Sequence, residues 1–260
     1  MHSASIPMIS VHGLHKRFGA NQVLAGIDLE VERGKSLVII GASGSGKSVT
    51  LKCILGLIKP DSGSIRIGGQ EVTGLSGARR EAYLAKIGML FQGAALFDSM
   101  SVWENVAFGL IQARGMPVRQ AREKALAAME KVGLDASIAD MNPAELSAGM
   151  QKRAGLARAI APEPEILFFD EPTTGLDPIM SGVINELIVE RVRDLGATAL
   201  TITHDMESAR RIGDSIALIY QGRIAWCGPS DRIDDCGEPH VDQFINARVE
   251  GPFTADLLRR

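Results

Sequence analysis

The spacing of apolar residues changes several times along the chain, and each change predicts an element. Up to about Glu32 the pattern is short and alternating, over residues 8–11 and then 24–31, where Ile27, Leu29 and Val31 alternate with polar residues as in a half-buried strand. Leu37-Val38-Ile39-Ile40 is instead a continuous apolar run ending in glycine-rich chain, the pattern of a parallel strand buried on both faces. A helix is expected after it to about Leu57, stopped before Pro60-Asp61-Ser62-Gly63. From about residue 96 to 160 the texture is helical and rich in Met and Ala. Residues 119–132 form its clearest amphipathic run, and Gly115, Gly133 and Asn142-Pro143 are its breaks. Apolar strands return at 166–169, 198–202, 215–220 and 223–227, the first three separated by helical stretches. Strand and helix alternation predicts an α/β core, with the helical middle inserted between its two halves.

Composition narrows what such a core could do. At 260 residues, 45% hydrophobic and 23% charged, the chain can bury a large core, and disorder is excluded as its dominant state. Its three cysteines, Cys53, Cys227 and Cys236, suit a reducing compartment and exclude a disulfide scaffold. A net charge of −3 offers no broad basic surface, so nucleic acid is not an expected partner. Uninterrupted apolar stretches such as 216–220 fall far below the roughly 20 residues that a membrane-spanning helix needs. The start, Met1-His2-Ser3-Ala4-Ser5-Ile6-Pro7, has neither the basic nor the apolar region of a signal peptide. A cytoplasmic chain is expected.

Candidate chemistry begins where the Leu37–Ile40 run ends. Gly41-Ala42-Ser43-Gly44-Ser45-Gly46-Lys47-Ser48 satisfies G-x-x-x-x-G-K-[ST] between a predicted strand and a predicted helix. Glycines let backbone N–H groups wrap an anion, and the helix N-terminus adds a favourable dipole. Lys47 would reach the β and γ phosphates, and the Ser48 hydroxyl would ligate Mg²⁺. A carboxylate should meet that metal from another strand. Ile166-Leu167-Phe168-Phe169-Asp170-Glu171 supplies one, with Asp170 for the metal and Glu171 for an attacking water.

With these motifs in place, the chain resembles the ATP-binding-cassette ATPases, the nucleotide-binding subunits of ABC transporters. The resemblance covers nearly the whole sequence. Its motifs come in the family's order: the phosphate loop, a Q-loop glutamine (Gln92), the signature Leu146-Ser147-Ala148-Gly149-Met150, the acidic strand with Glu171, Gly175-Leu176-Asp177 and a switch histidine, His204. It implies a P-loop core with an N-terminal antiparallel β subdomain and the helical subdomain at about 96–160. The cassette would occupy 1–236, followed by an extension over 237–260. It also implies ATP and Mg²⁺ as ligands, Phe18 as the ring stacked on adenine, Gln92 as a third metal contact, and Glu171 with His204 as the catalytic pair. Ser147, Ala148 and Gly149 would act on ATP held by another subunit, near Asp177, so a second copy of the chain is an expected partner. Ala148 departs from the family's usual glycine. It fits only if its φ is negative and no ligand atom needs the space of its methyl.

Within the family, residues 89–106, the Met-containing signature segment 146–153 and the ending Val241-Asp242-Gln243-Phe244-Ile245 with Gly251-Pro252-Phe253 resemble the ATPases of Mla-type phospholipid transport systems. That resemblance implies phospholipid traffic between the inner and outer membranes of a Gram-negative bacterium. It also implies an integral permease, an MCE-domain lipid-binding protein and a small STAS-domain protein as partners, and a place on the cytoplasmic face of the inner membrane. Phe97, Met100, Val102 and Trp103 would lie near the groove that receives the permease, or else pack inside the helical subdomain. Phe244, Ile245 and Phe253 are apolar in a tail with little else to bury them, which suggests a reach across to the partner subunit. An importer of amino acids or another polar solute would share the same nucleotide site. A soluble ABC protein outside transport, or a nucleotide-holding scaffold, fits less well.

Overall fold

A computed structural model describes residues 6–258, and they divide into two compact units, 6–73 with 201–258 and 74–200. The helical middle expected at 96–160 lies inside the second unit.

The first unit opens with β1 (Ile9–Phe18) and β2 (Asn21–Val31), an antiparallel hairpin running from Ile9 opposite Val31 to Phe18 opposite Asn21. β4 (Ser62–Ile67) pairs antiparallel with β1, and the two-residue β5 (Gln70–Glu71) extends the sheet to the order β2-β1-β4-β5. β1 continues seven residues beyond the 8–11 run because bulges between Val11 and Leu14, and again near His15 and Arg17, interrupt the alternation that would have marked it. β3 (Ser36–Ile40) is buried at every residue, as its apolar run predicts, and pairs in parallel with β9 (Ser215–Tyr220). β3 feeds α1 (Lys47–Ile54), and β9 turns back into β10 (Arg223–Pro229) through Gln221 and Gly222, both at positive φ as a tight hairpin turn requires.

α7 (Met206–Ile212), α8 (Pro239–Ile245) and α9 (Pro252–Leu258) complete this unit. The tail does find cover within its own chain. Phe253 packs edge-on to Tyr220 at 4.6 Å between ring centroids and lies 6.1 Å from Phe244, while His240 stacks on Tyr220 at 4.5 Å.

In the second unit β6 (Ile87–Leu90) and β7 (Ile166–Asp170) pair in parallel, with Leu90 opposite Phe169. β8 (Thr198–Ile202) begins beside β7, where Thr198 N–H donates to the Glu165 carbonyl, and the division between units falls within it. The unit also holds five α-helices, α2 (Gly77–Leu84), α3 (Val102–Gln112), α4 (Val118–Lys131), α5 (Ala148–Ile160) and α6 (Pro178–Leu195). α3 starts with a full capping box in which Ser101 N–H donates to the Glu104 carboxylate at 2.8 Å. α4 buries Ala121, Ala125, Ala128 and Met129 along one face, the stripe its periodicity predicts.

α5 lies unusually close to β6. A Cβ at Gly88 would fall 2.2 Å from the Ala159 carbonyl oxygen and 2.7 Å from Leu167 Cδ2. The nearer obstacle is backbone, which cannot rotate away. Gly88→Ala is therefore expected to destabilise the protein by about 1–3 kcal/mol or more, read as a lower urea midpoint at unchanged slope. An unaltered midpoint would mean that α5 can lift from β6 at no cost.

Candidate nucleotide site

The first unit holds the phosphate loop. Gly46 is the N-cap of α1 at φ 112°, and a Cβ there would lie 2.8 Å from Leu24 Cδ2, so both its conformation and its surroundings call for glycine. Lys47 is 7% exposed and folds back over the loop, where Nζ donates to the Gly41 carbonyl at 2.6 Å and to the Ala42 carbonyl at 3.1 Å. Thr50 Oγ1 closes the first turn of α1 by donating to the Gly46 carbonyl at 3.0 Å.

Two observations test whether the loop suits a phosphate chain. α1 has no side-chain cap and no acidic residue in its first turn, so its own first turn supplies no countercharge to the helix dipole. Ser45 Oγ is buried and makes no hydrogen bond within the protein. Ala42, Ser43 and Gly44 are exposed, and Ser48 is half-buried just inside the helix. The loop thus offers donors and a cation around a concave backbone, the arrangement that binds polyphosphate. A cleft of about 330 Å³ opens beside it, between Gly44-Ser45, the start of β2 and the Gln221-Gly222 turn.

Phe18 is 49% exposed at the end of β1, with Lys16 Nζ 5.5 Å from its ring centroid, so it is not a core residue of the small sheet. His204 follows β8. Thr203 N–H donates to the Ile39 carbonyl at 3.1 Å, which makes the chain leave the sheet beside the strand that feeds the phosphate loop. His204 is then exposed, held between Thr203 and Asp205, whose carboxylate caps α7 by accepting from Glu207 N and Ser208 N at 3.1 and 3.3 Å.

The second unit holds the remaining candidates. Asp170 ends β7, half-buried behind four fully buried residues. Glu171 sits in the left-handed region at φ 49°, a costly conformation for a residue with a side chain, and Thr174 Oγ1 donates to its carboxylate at 3.1 Å. Gln92 is exposed two residues past β6. Lys152, which sequence reading did not single out, joins these two segments. It is 5% exposed, and its Nζ donates to the backbone carbonyls of Gln92 and, at 3.3 Å, Glu171. Burial pushes its ammonium below the ordinary lysine range, while the Asp170 and Glu171 carboxylates pull it back up. Arg158, six residues further along α5, donates to the Ala94 and Ala95 carbonyls. Both alanines have left-handed φ, at 59° and 49°. A basic residue inside an alanine-rich helix carries no sign in the sequence of what it will face, which is why neither cation was legible.

Ser147 is the N-cap of α5 and accepts from Met150 N at 3.3 Å. Gln151 Nε2 holds the approach to it through the Pro143 and Leu146 carbonyls. Ala148 is the first residue of α5 with negative φ, so the helix start does not call for glycine there, and its side is exposed. At Gly149 a Cβ would meet Met180 Cε at 2.7 Å, the tip of a flexible side chain that can swing aside, so this contact alone does not demand glycine. Asp177 caps α6, accepting from the Ile179 and Met180 N–H groups at 3.0 Å each, ahead of Pro178 in the first helical position. Of the four residues expected near a permease groove, Val102 is core, Met100 and Trp103 are half-buried, and Phe97 is 41% exposed with its ring against Phe108 at 4.7 Å. Asn105, fully buried, fixes that loop by accepting from Phe97 N and donating to the Phe97, Met100 and Ser101 carbonyls.

Comparison with known proteins adds a family to this geometry. Residues 24–174 match the family model described as ABC transporter. The chain is 36% identical over 245 residues to the probable ribonucleotide transport ATP-binding protein mkl of Mycobacterium leprae, covering 94% of this chain and 70% of that protein. It is 37% identical to the intermembrane phospholipid transport system ATP-binding protein MlaF of Haemophilus influenzae, covering 94% of this chain and 92% of MlaF. It is 36% identical to the histidine/lysine/arginine/ornithine transport ATP-binding protein HisP of Escherichia coli K12, covering 93% and 98%. Among solved structures, the dimeric post-hydrolysis ATP-binding cassette MJ0796 bound to ADP and Pi matches with TM-score 0.78 and 30% identity, over 86% of this chain and 99% of that one.

Proposed function

Because the chain belongs to the ABC transporter family as an ATP-binding, ATP-hydrolysing subunit, we propose that it powers phospholipid movement between the inner and outer membranes of a Gram-negative bacterium. The observation that carries this reading is the likeness to MlaF, which extends over almost the full length of both proteins. Its partners are then a second copy of itself, an integral permease, an MCE-domain lipid-binding protein and a small STAS-domain protein, and its place is the cytoplasmic face of the inner membrane. No helix among the described residues is long and apolar enough to cross a membrane, in keeping with the need for a separate permease.

The residues take the following parts in that reading. Gly41, Ala42, Ser43, Gly44, Ser45 and Gly46 wrap the phosphates with backbone N–H groups, Lys47 neutralises the β and γ phosphates, and Phe18 stacks on the adenine. Ser48, Gln92 and Asp170 hold Mg²⁺, which supplies charge neutralisation on the transferred phosphoryl group. Glu171 takes the proton of the attacking water, and His204 orients that water against the γ phosphate. Ser147, Ala148 and Gly149 present the N-terminus of α5 to ATP held by the second copy. Ile179, 80% exposed two residues after Asp177, is a large apolar side chain suited to that seam.

A second reading, an importer of a basic amino acid or similar polar solute, draws on the comparable likeness to HisP. Purification of the tagged chain from its native membranes separates them. The phospholipid reading expects a permease and an MCE-domain protein to copurify, with ATPase activity that responds to added phospholipid. A permease accompanied by a soluble solute-binding protein, with activity that responds to an amino acid, would overturn it.

A further inference from the structure

We infer that Lys152 is a positioning residue for hydrolysis: from the signature helix α5 its ammonium holds the backbone of Gln92 and Glu171 together, and so sets the direction of the Glu171 carboxylate. The inference rests on the reading of Glu171 as the base.

The two carbonyls it grips occupy equivalent places. Leu90, the last residue of β6, is in register with Phe169, the penultimate residue of the parallel strand β7, and Gln92 and Glu171 each follow two residues after that pair. An ammonium has three donors and no acceptor, so it can bridge both carbonyls at once. Burying a cation is costly, and an apolar side chain of the same length would occupy this position at less cost. The charge is kept there by the two carbonyls it holds.

Glu171 needs such a hold. Its left-handed backbone costs roughly 1–3 kcal/mol for a residue other than glycine. Thr174 restrains the carboxylate and Lys152 restrains the carbonyl, so the strained conformation is fixed at both ends. Releasing the carbonyl would let the residue relax and carry its carboxylate off the line of attack, where even about 1 Å is costly. Phosphate binding has a separate origin, since the carbonyls folded under Lys47 and the first turn of α1 do not involve Lys152.

Full-length Lys152→Met, Lys152→Arg and Glu171→Gln proteins, each purified with its membrane partners, test the inference. Lys152→Met should bind MgATP within about threefold of wild type while kcat falls about tenfold or more, and Lys152→Arg should recover most of that kcat, since its guanidinium also reaches two acceptors. A packing role would instead lower affinity and kcat together, with no rescue by arginine, and that result would overturn the inference. Where Lys152→Met does not fold, Lys152→Gln, which keeps a donor on a shorter stem, takes the same measurement and is expected to fall between methionine and wild type; wild-type kcat in it is overturning. A Glu171→Gln protein that hydrolyses normally would refute the base assignment. An inactive Glu171→Gln beside a fully active Lys152→Met would refute only the role of Lys152.

Discussion

Glu171→Gln should bind MgATP with near wild-type affinity and turn over about 10²-fold more slowly or worse, the usual contribution of a positioned general base. The amide keeps the size of the carboxylate and can still accept from Thr174 Oγ1, which donates at 3.1 Å in the native protein, so the left-handed backbone has no new reason to rearrange. What is lost is a group able to take a proton from water. With hydrolysis stalled and binding intact, the closed dimer with ATP between the subunits should accumulate, measurable as a MgATP-dependent shift in mass by light scattering. Hydrolysis at a wild-type rate would move the base to another residue.

Lys47→Ala should fail earlier, at binding. The substitution removes the cation proposed above to neutralise the phosphates, and it also leaves the Gly41 and Ala42 carbonyls without the donor that folds over them at 2.6 and 3.1 Å. A hydrogen bond to a charged group is worth about 1.5–3 kcal/mol, so MgATP affinity should fall by roughly one to two orders of magnitude, followed by titration with a fluorescent nucleotide. Saturation at wild-type concentrations would show that the backbone N–H groups alone suffice. The two substitutions thus fail at different steps, one after binding and one before it.

The parts legible in the sequence are those whose chemistry is written in consecutive residues. Gly41 to Ser48 carries its glycines, cation and hydroxyl in one run, and the strand before it is apolar at each of Leu37, Val38, Ile39 and Ile40. The stripe on α4 repeats often enough to be read. β6, by contrast, is four residues long and includes Gly88, whose absent side chain matters only because α5 passes over it. β4 begins within Pro60-Asp61-Ser62-Gly63, a stretch that reads as a turn and nothing more. The bonds of Lys152 join residues 60 and 19 positions away, and no local pattern encodes a contact of that kind. Asp177 shows the reverse case. Its motif is legible, and its work as the cap of α6 is equally written in the Asp-Pro pair.

Tyr220 ends β9 one residue before the Gln221-Gly222 turn, and its hydroxyl accepts from Gln221 Nε2 at 2.9 Å. The same turn walls the cleft beside the phosphate loop, and Gln221 adopts it at a φ of 47° that favours glycine. The rings of His240 and Phe253 rest on Tyr220 from the C-terminal helices. Helices α8 and α9 therefore serve as a buttress, bracing from behind one wall of the cleft beside the phosphate loop. A change to His240 or Phe253 thus bears on that wall as well.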